Sequence, residues 1–390
     1  MTSRILLALA LFAPAIMSQT KTVLYAAAGS ELMRYDVDLA NAVLTKRTSV
    51  TLPANVQEAW PSPTHKFLYV AWSNRGDANA PPNGNHHGIT AFRVDPKSGN
   101  LTVQGQPASL PYRPIYITAD PSGTHIIAAY NDPSGLTVHK LLPDGTIGAL
   151  VEQPKDLNFG IYGHQVRADP SGHTVVLVTR GNGPTATTPE DPGAIKIFGY
   201  KEGVLSNLQT IAPNGGIGYQ VRHMAYHPSG KWAFVTLERQ NQLQVYTRMP
   251  DGTLGTDPLF TAGTLMPATK ATGQTAASIH FHPRGKVVYV ANRGPEGGEN
   301  SIAVFSVNPQ TGEPTLIQSI DTHGFEPRTF TVDQLGKVLA VANQSKHGAT
   351  PASIAMYKID ADGKLEYVRK YDIETAPGQN LFWTSLMSLP

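Results

Sequence analysis

The sequence predicts an all-β chain, a seven-bladed β-propeller of four-stranded antiparallel blades. Three observations carry that expectation. No long segment shows helical apolar spacing, and short alternating runs are separated by Gly, Pro, Asn and Asp, with Gly 36 and Pro 31 in 390 residues. A strand–turn–strand phrase recurs along the chain. A second turn phrase follows each copy of it.

The chain opens with "MTSRILLALALFAPAIMSQT", in which Arg4 precedes an apolar run and then small residues. This reads as a signal peptide over 1–18, too short to span a bilayer, with cleavage after Ala15 or Ser18. Residues 19–390 are then a single propeller domain, exported to the periplasm or secreted. The chain has no Cys, so neither a disulfide nor a lipid anchor through cysteine is available.

Residues 23–50 read as a second, third and fourth strand with no first. The main phrase then appears as "ITADPSGTHIIAAYN" (117–131), "VRADPSGHTVVLVTRG" (166–181), "MAYHPSGKWAFVTLER" (224–239) and "IHFHPRGKVVYVANRG" (279–294). "FTVDQLGKVLAVANQ" (330–344) and, more loosely, "WPSPTHKFLYVAWSN" (60–74) belong with them. Each is a strand, a tight turn and a second strand of β-branched and aromatic residues. Their spacing of about 50 to 58 residues is the range of a propeller or solenoid. The second marker, as in "DGTI" (144–147), "DGTL" (251–254) and "DGKL" (362–365), turns a third strand into a fourth. Finally "NLFWTSLM" (380–387) reads as a first strand with no successors. It completes the blade begun at the N-terminus, and this clasp closes a ring of seven and removes its open edges.

Register points to the site. Six residues before the Pro of each turn, where the first strand begins, lie Ile115, His164, Arg222, Ala277 and Arg328. Ten after it, where the second strand ends, lie Asn131, Arg180, Glu238, Arg293 and Gln344. The strands are antiparallel, so both sets emerge at one mouth of the central channel. Four arginines, a histidine and a glutamate make a mostly cationic funnel suited to carboxylate or phosphate oxygens. His164 titrates near neutrality in water and suits acid–base work. His227 and His282 fall at the opposite end, as turn or surface residues.

Other chemistry is excluded by what the chain lacks. The net charge of +2 is spread without a basic run, which speaks against nucleic acid. No metalloprotease spacing, Gly-x-Ser-x-Gly elbow, phosphate loop or dinucleotide fingerprint occurs. The adjacent histidines of "NGNHHG" (83–88) read as a flexible blade insertion rather than a metal site.

"VRHMAYHPSGKWAFVTLERQNQLQVY", "VVYVANRGPEGGENSIAVFSVNPQTGEPTLIQ" and "EPRTFTVDQLGKVLAVANQ" resemble the seven-bladed propeller lactonase family. That family includes propeller-type 6-phosphogluconolactonase and fungal 3-carboxy-cis,cis-muconate lactonizing enzyme. The resemblance covers about 22 to 388. It implies a metal- and cofactor-independent site in which His164, Arg222, Glu238 and Arg293 are catalytic. It implies that Arg222 and Arg293 hold the substrate and its oxyanion, while His164 or Glu238 activates water. Arg328, Arg180, Asn131 and Gln344 are expected to bind substrate. Many members carry an acidic residue where Arg180 stands, and often a Glu near Ala277–Ser278. The partner expected is a small anionic lactone met by a monomer, with no nucleic acid and no membrane once the signal is removed. Two other readings stand beside hydrolysis: a non-catalytic propeller that binds an anion or a protein, and a muconate-type cycloisomerase.

Overall fold

The computed structural model describes residues 21–390 except 78–79, 268, 270–271, 295–297, 347–349 and 377–378. The expected signal segment lies outside the described residues. Seven antiparallel sheets follow one another around a central channel. The described residues contain no helix long and apolar enough to cross a membrane.

The clasp forms as expected. The C-terminal strand Leu381–Ser388 pairs with Thr22–Ala28, which pairs in turn with Glu31–Asp38 and Val43–Thr51. One blade departs from the four-strand plan. Its outer strand is broken into Leu101–Val103 and Ala108–Ser109, both pairing with His87–Val94, so that sheet counts five strands.

The burial of each strand follows from its place in the blade. Second strands such as His125–Asn131 and Val338–Gln344 are buried along their whole length, because a neighbouring blade covers each face. That is why they read as continuous apolar runs rather than alternating ones. Outer strands such as Val43–Thr51 are largely exposed and correspondingly polar. The core is therefore divided into seven apolar clusters, one between each pair of adjacent blades, including the two that flank the clasp.

The turn face carries a second kind of inter-blade contact. His227 and His282 are not surface residues; both are buried. Nε2 of His227 lies 2.9 Å from the Gly285 carbonyl, and Nε2 of His282 lies 3.2 Å from the Gly336 carbonyl, each in the next blade's turn. The "NGNHHG" histidines have local partners too. His87 bonds Ser73 Oγ at 2.9 Å, and His86 packs edge-on against Trp72.

One irregularity repeats in every blade and positions the site. Each first strand slips register by one residue against its second strand, at Gln57, Ile115, His164, Arg222, Ala277–Ser278, Arg328 and Phe382, and the Arg328 strand slips a second time at Glu326. A β-bulge of this kind leaves one residue unpaired and re-aims its side chain. The positions counted as six before each turn are therefore the bulge positions.

Candidate active site

The bulges open onto one cavity of about 300 Å³ on the channel axis. Gln57, Ile115, His164, Arg222, Ser278, Arg328 and Phe382, one from each blade, line it. The residues after the bulges, including Glu58, Tyr116, His223 and Trp383, line it as well. His280 and Arg167 complete it towards the turn face, where Arg167 lies over the Trp60 ring at 4.6 Å.

The second-strand ends form a layer beside this cavity. Glu238 follows Trp232–Leu237, and its backbone is pinned on both sides: its N–H donates to Gln220 O at 2.9 Å, and its carbonyl accepts from Ala276 N–H at 2.8 Å. Its buried carboxylate faces three guanidiniums. Arg180 Nη1 donates to Oε2 at 2.6 Å, Arg293 Nη2 donates to Oε1, and Arg222 Nε lies 3.3 Å from Oε1. Burial alone would raise the carboxyl pKa, but Arg293, Arg222 and Arg180 outweigh it and bring it down to about 2. Glu238 is thus permanently ionised and fully occupied.

His164 meets the opposite conditions. It is buried on the cavity wall, and Nδ1 has no hydrogen-bond partner among the described residues, which leaves Nε2 as the cavity-side nitrogen. Burial, then Arg222, His223 and Arg328, hold its pKa well below the ordinary histidine value. At neutral pH it is an unprotonated imidazole. The His223 ring sits 5.1 Å from it and is depressed in the same way, chiefly by burial and Arg222.

Arg328 lies over the Phe382 ring at 4.0 Å, and Arg113 lies 5.9 Å from the same ring while bonding Gln57 Oε1 at 2.6 Å. No carboxylate pairs with either arginine among the described residues. Burial, Arg293 and Arg113 lower the Arg328 pKa to about 9, still charged at neutral pH.

The family model described as "Lactonase, 7-bladed beta-propeller" matches residues 16–377. The chain belongs to this lactonase family. Among its relatives, the 6-phosphogluconolactonase of Bacillus subtilis (strain 168) is 28% identical over 261 residues, 66% of this chain and 70% of that one. The 6-phosphogluconolactonase of Enterobacter sp. (strain 638) is 27% identical over 344 residues, 87% of this chain and 91% of that one. The solved periplasmic gluconolactonase of Pseudomonas aeruginosa superposes with a TM-score of 0.72 over 95% of this chain and 99% of its own, at 19% identity. A Lactobacillus plantarum protein does so with a TM-score of 0.73 over 95% and 100%, at 21% identity. These last two likenesses speak to the fold.

In this lactonase the residues expected from register separate into three groups. His164, Arg222 and Arg328 line the cavity. Glu238, Arg180 and Arg293 form the ion cluster beside it, with Arg180 also lying over the Tyr162 ring at 4.4 Å. Asn131 and Gln344 are buried strand ends that do not line it; Asn131 opens instead onto a separate shallow groove with Tyr162 and Asn182.

Register from the turn Pro missed Gln57 and Glu58, because their blade turns on Pro63-Thr64-His65, without a glycine. His65 takes the left-handed conformation, φ 57°, that Gly123, Gly172, Gly230, Gly285 and Gly336 take elsewhere. Counting six back from Pro63 gives Gln57, so the signal was present. Among the described residues, Glu58 is the one carboxyl-bearing residue on the cavity wall. Its Oε1 accepts from the Ala59 N–H at 3.0 Å, the Trp383 side chain lines the cavity with it, and no guanidinium lies within ion-pair distance among the described residues. Burial raises its pKa to about 8, against the opposing pull of Ala59 N–H, Trp383, Arg328 and Arg167.

Proposed function

We propose that the protein hydrolyses an anionic sugar-acid lactone of the phosphogluconolactone type, without a metal. The observation that carries this reading is one cavity holding a neutral imidazole at His164 beside Arg328, a cation with no carboxylate partner among the described residues. The substrate's carboxylate or phosphate would pair with Arg328, whose planar fork matches two oxygens at once. Arg222, held rigid by Glu238, would face the lactone carbonyl and stabilise the oxyanion formed when water adds. His164 Nε2 would take the proton from that water. Glu238, Arg180 and Arg293 would act as the frame that fixes Arg222. The names of the curated relatives, 6-phosphogluconolactonases, agree with this substrate class.

The test is proton release at constant pH with gluconolactone, phosphogluconolactone, galactonolactone and muconolactone, using wild type and His164→Ala. We expect the phosphorylated lactone to be hydrolysed fastest and H164A to lose about 100-fold or more of that rate, the usual contribution of a positioned base. Wild-type protein that is folded and hydrolyses none of them would overturn the reading in favour of a binding propeller.

A further inference from the structure

A base and an oxyanion site leave the second half of the reaction unserved. When the tetrahedral intermediate collapses, the ring C–O bond breaks and its electron pair goes to the departing oxygen. That alkoxide needs a proton. The cavity supplies few sources of one. His164, His223 and His280 are all held unprotonated at neutral pH, chiefly by burial. Tyr116 is pushed up to about 12, also chiefly by burial, and is a poor donor. Arg167, Arg222 and Arg328 are charged groups that orient anions rather than pass protons. Glu58 remains.

We propose that Glu58 is the general acid of this site, donating its carboxyl proton to the lactone ring oxygen as the C–O bond breaks. The inference rests on the hydrolytic reading above and adds a residue to it. Geometry is the primary support. Glu58 stands one residue after the bulge at Gln57, so it projects into the same cavity as His164 and Arg222. Its hydrogen-bond partner among the described residues is a neutral donor, the Ala59 N–H, so no ion pair competes for its proton. The charged groups that bear on it are Arg328 and Arg167, and Tyr116 is the neighbouring phenol. Burial outweighs both arginines and keeps the group protonated up to about pH 8. A substrate anion on Arg328 would push it further the same way.

The step balances. Water gives OH to the acyl carbon and H⁺ to His164, and Glu58 gives H⁺ to the leaving oxygen. The imidazolium then returns its proton, through solvent, to the Glu58 carboxylate. The product is the open hydroxy acid, and both residues are restored. Two groups in one cavity with pKa values driven apart, one a base and one an acid, are the arrangement such a reaction needs.

The experiment compares wild type with Glu58→Gln across pH 5 to 10 on the lactone that wild type hydrolyses best. The amide keeps the shape and an acceptor for the Ala59 N–H but has no acidic proton to transfer. We expect wild-type kcat/KM to fall above about pH 8, and E58Q to lose roughly 100-fold at neutral pH with that alkaline limb gone. A purely structural role would lower the rate and leave the limb in place, and that result would overturn the proposal. A second measurement is independent of turnover. The infrared difference between wild type and E58Q at pH 6 should show a protonated carboxyl C=O band, which disappears by pH 10. Its absence at pH 6 would also overturn the proposal. Inactive wild type would refute hydrolysis, while an active wild type with an unchanged E58Q profile would refute only the role of Glu58.

Discussion

The channel keeps two carboxyl groups in opposite states, and the contrast lies in what surrounds them: the buried Glu238 is ringed by guanidiniums, while the half-buried Glu58 is not. At the arginine layer Glu238 faces Arg180, Arg222 and Arg293, and its pKa falls to about 2. At the next row of the cavity Glu58 faces Ala59 N–H and the Trp383 side chain, and its pKa rises to about 8. Burial raises both, and only at Glu238 are the guanidiniums close enough to reverse it. The same residue type therefore serves as a fixed anion in one region and as an exchangeable acid in the other.

The largest effect should follow from removing the fixed anion. In Glu238→Gln three guanidiniums lose their shared counter-charge in a buried setting, a change that typically costs about 3–5 kcal/mol. We expect a clear fall in melting temperature and a loss of about 100-fold or more in turnover as Arg222 loses its anchor. The pH profile of the residual activity should keep its shape, because Glu238 does not titrate in the working range. A limb that vanishes in E238Q would make Glu238 a proton carrier and break the comparison.

Stability against pH sharpens it further. Glu238 has a folded pKa below its unfolded value, so its stabilisation is present above about pH 4.3 and is lost as pH falls towards 2. Glu58 has a folded pKa above its unfolded value, so it weakens the fold progressively as pH rises from about 4.3 to 8. Denaturant melts should therefore show E238Q flattening the acid side of the curve and E58Q flattening the neutral-to-alkaline side.

A smaller and more selective effect belongs to Arg328. Arg328→Gln removes a cation that has no carboxylate partner among the described residues, so folding should be little disturbed. With a charge-assisted hydrogen bond worth about 1.5–3 kcal/mol, kcat/KM for phosphogluconolactone should fall about 10- to 100-fold, and that for neutral gluconolactone by much less. Equal losses on both would show that Arg328 does not read the substrate's charge.

How far the sequence showed this depends on what the repeat makes regular. The blades, the clasp and the cavity positions of His164, Arg222 and Arg328 were legible, because turn, bulge and strand end keep a constant offset. Asn131 and Gln344 followed the same offset but point elsewhere, since a strand end can face the channel or the groove between blades. The ion cluster was legible as charge but not as pairing; that Glu238 is surrounded rather than free depends on side-chain reach across three blades. Glu58 was hidden by a turn in which His65 replaces glycine, and its raised pKa arises from distances to arginines that no spacing records. His227 and His282 looked like surface residues because their partners are backbone carbonyls in another blade.

The finest test lies where the clasp meets the acid. Trp383 belongs to the closing strand and lines the cavity with Glu58, where its side chain pulls the Glu58 pKa down. Trp383→Phe keeps an aromatic ring in the channel wall but removes the indole N–H. Glu58 should then hold its proton more tightly, and the alkaline limb of kcat/KM should move to higher pH with only a few-fold change in rate. A limb that moves down would mean that Trp383 stabilises the protonated form, and one that stays fixed would separate the titrating group from Trp383. The upward shift would show that the chain end closing the ring also sets the proton affinity of the group at its centre.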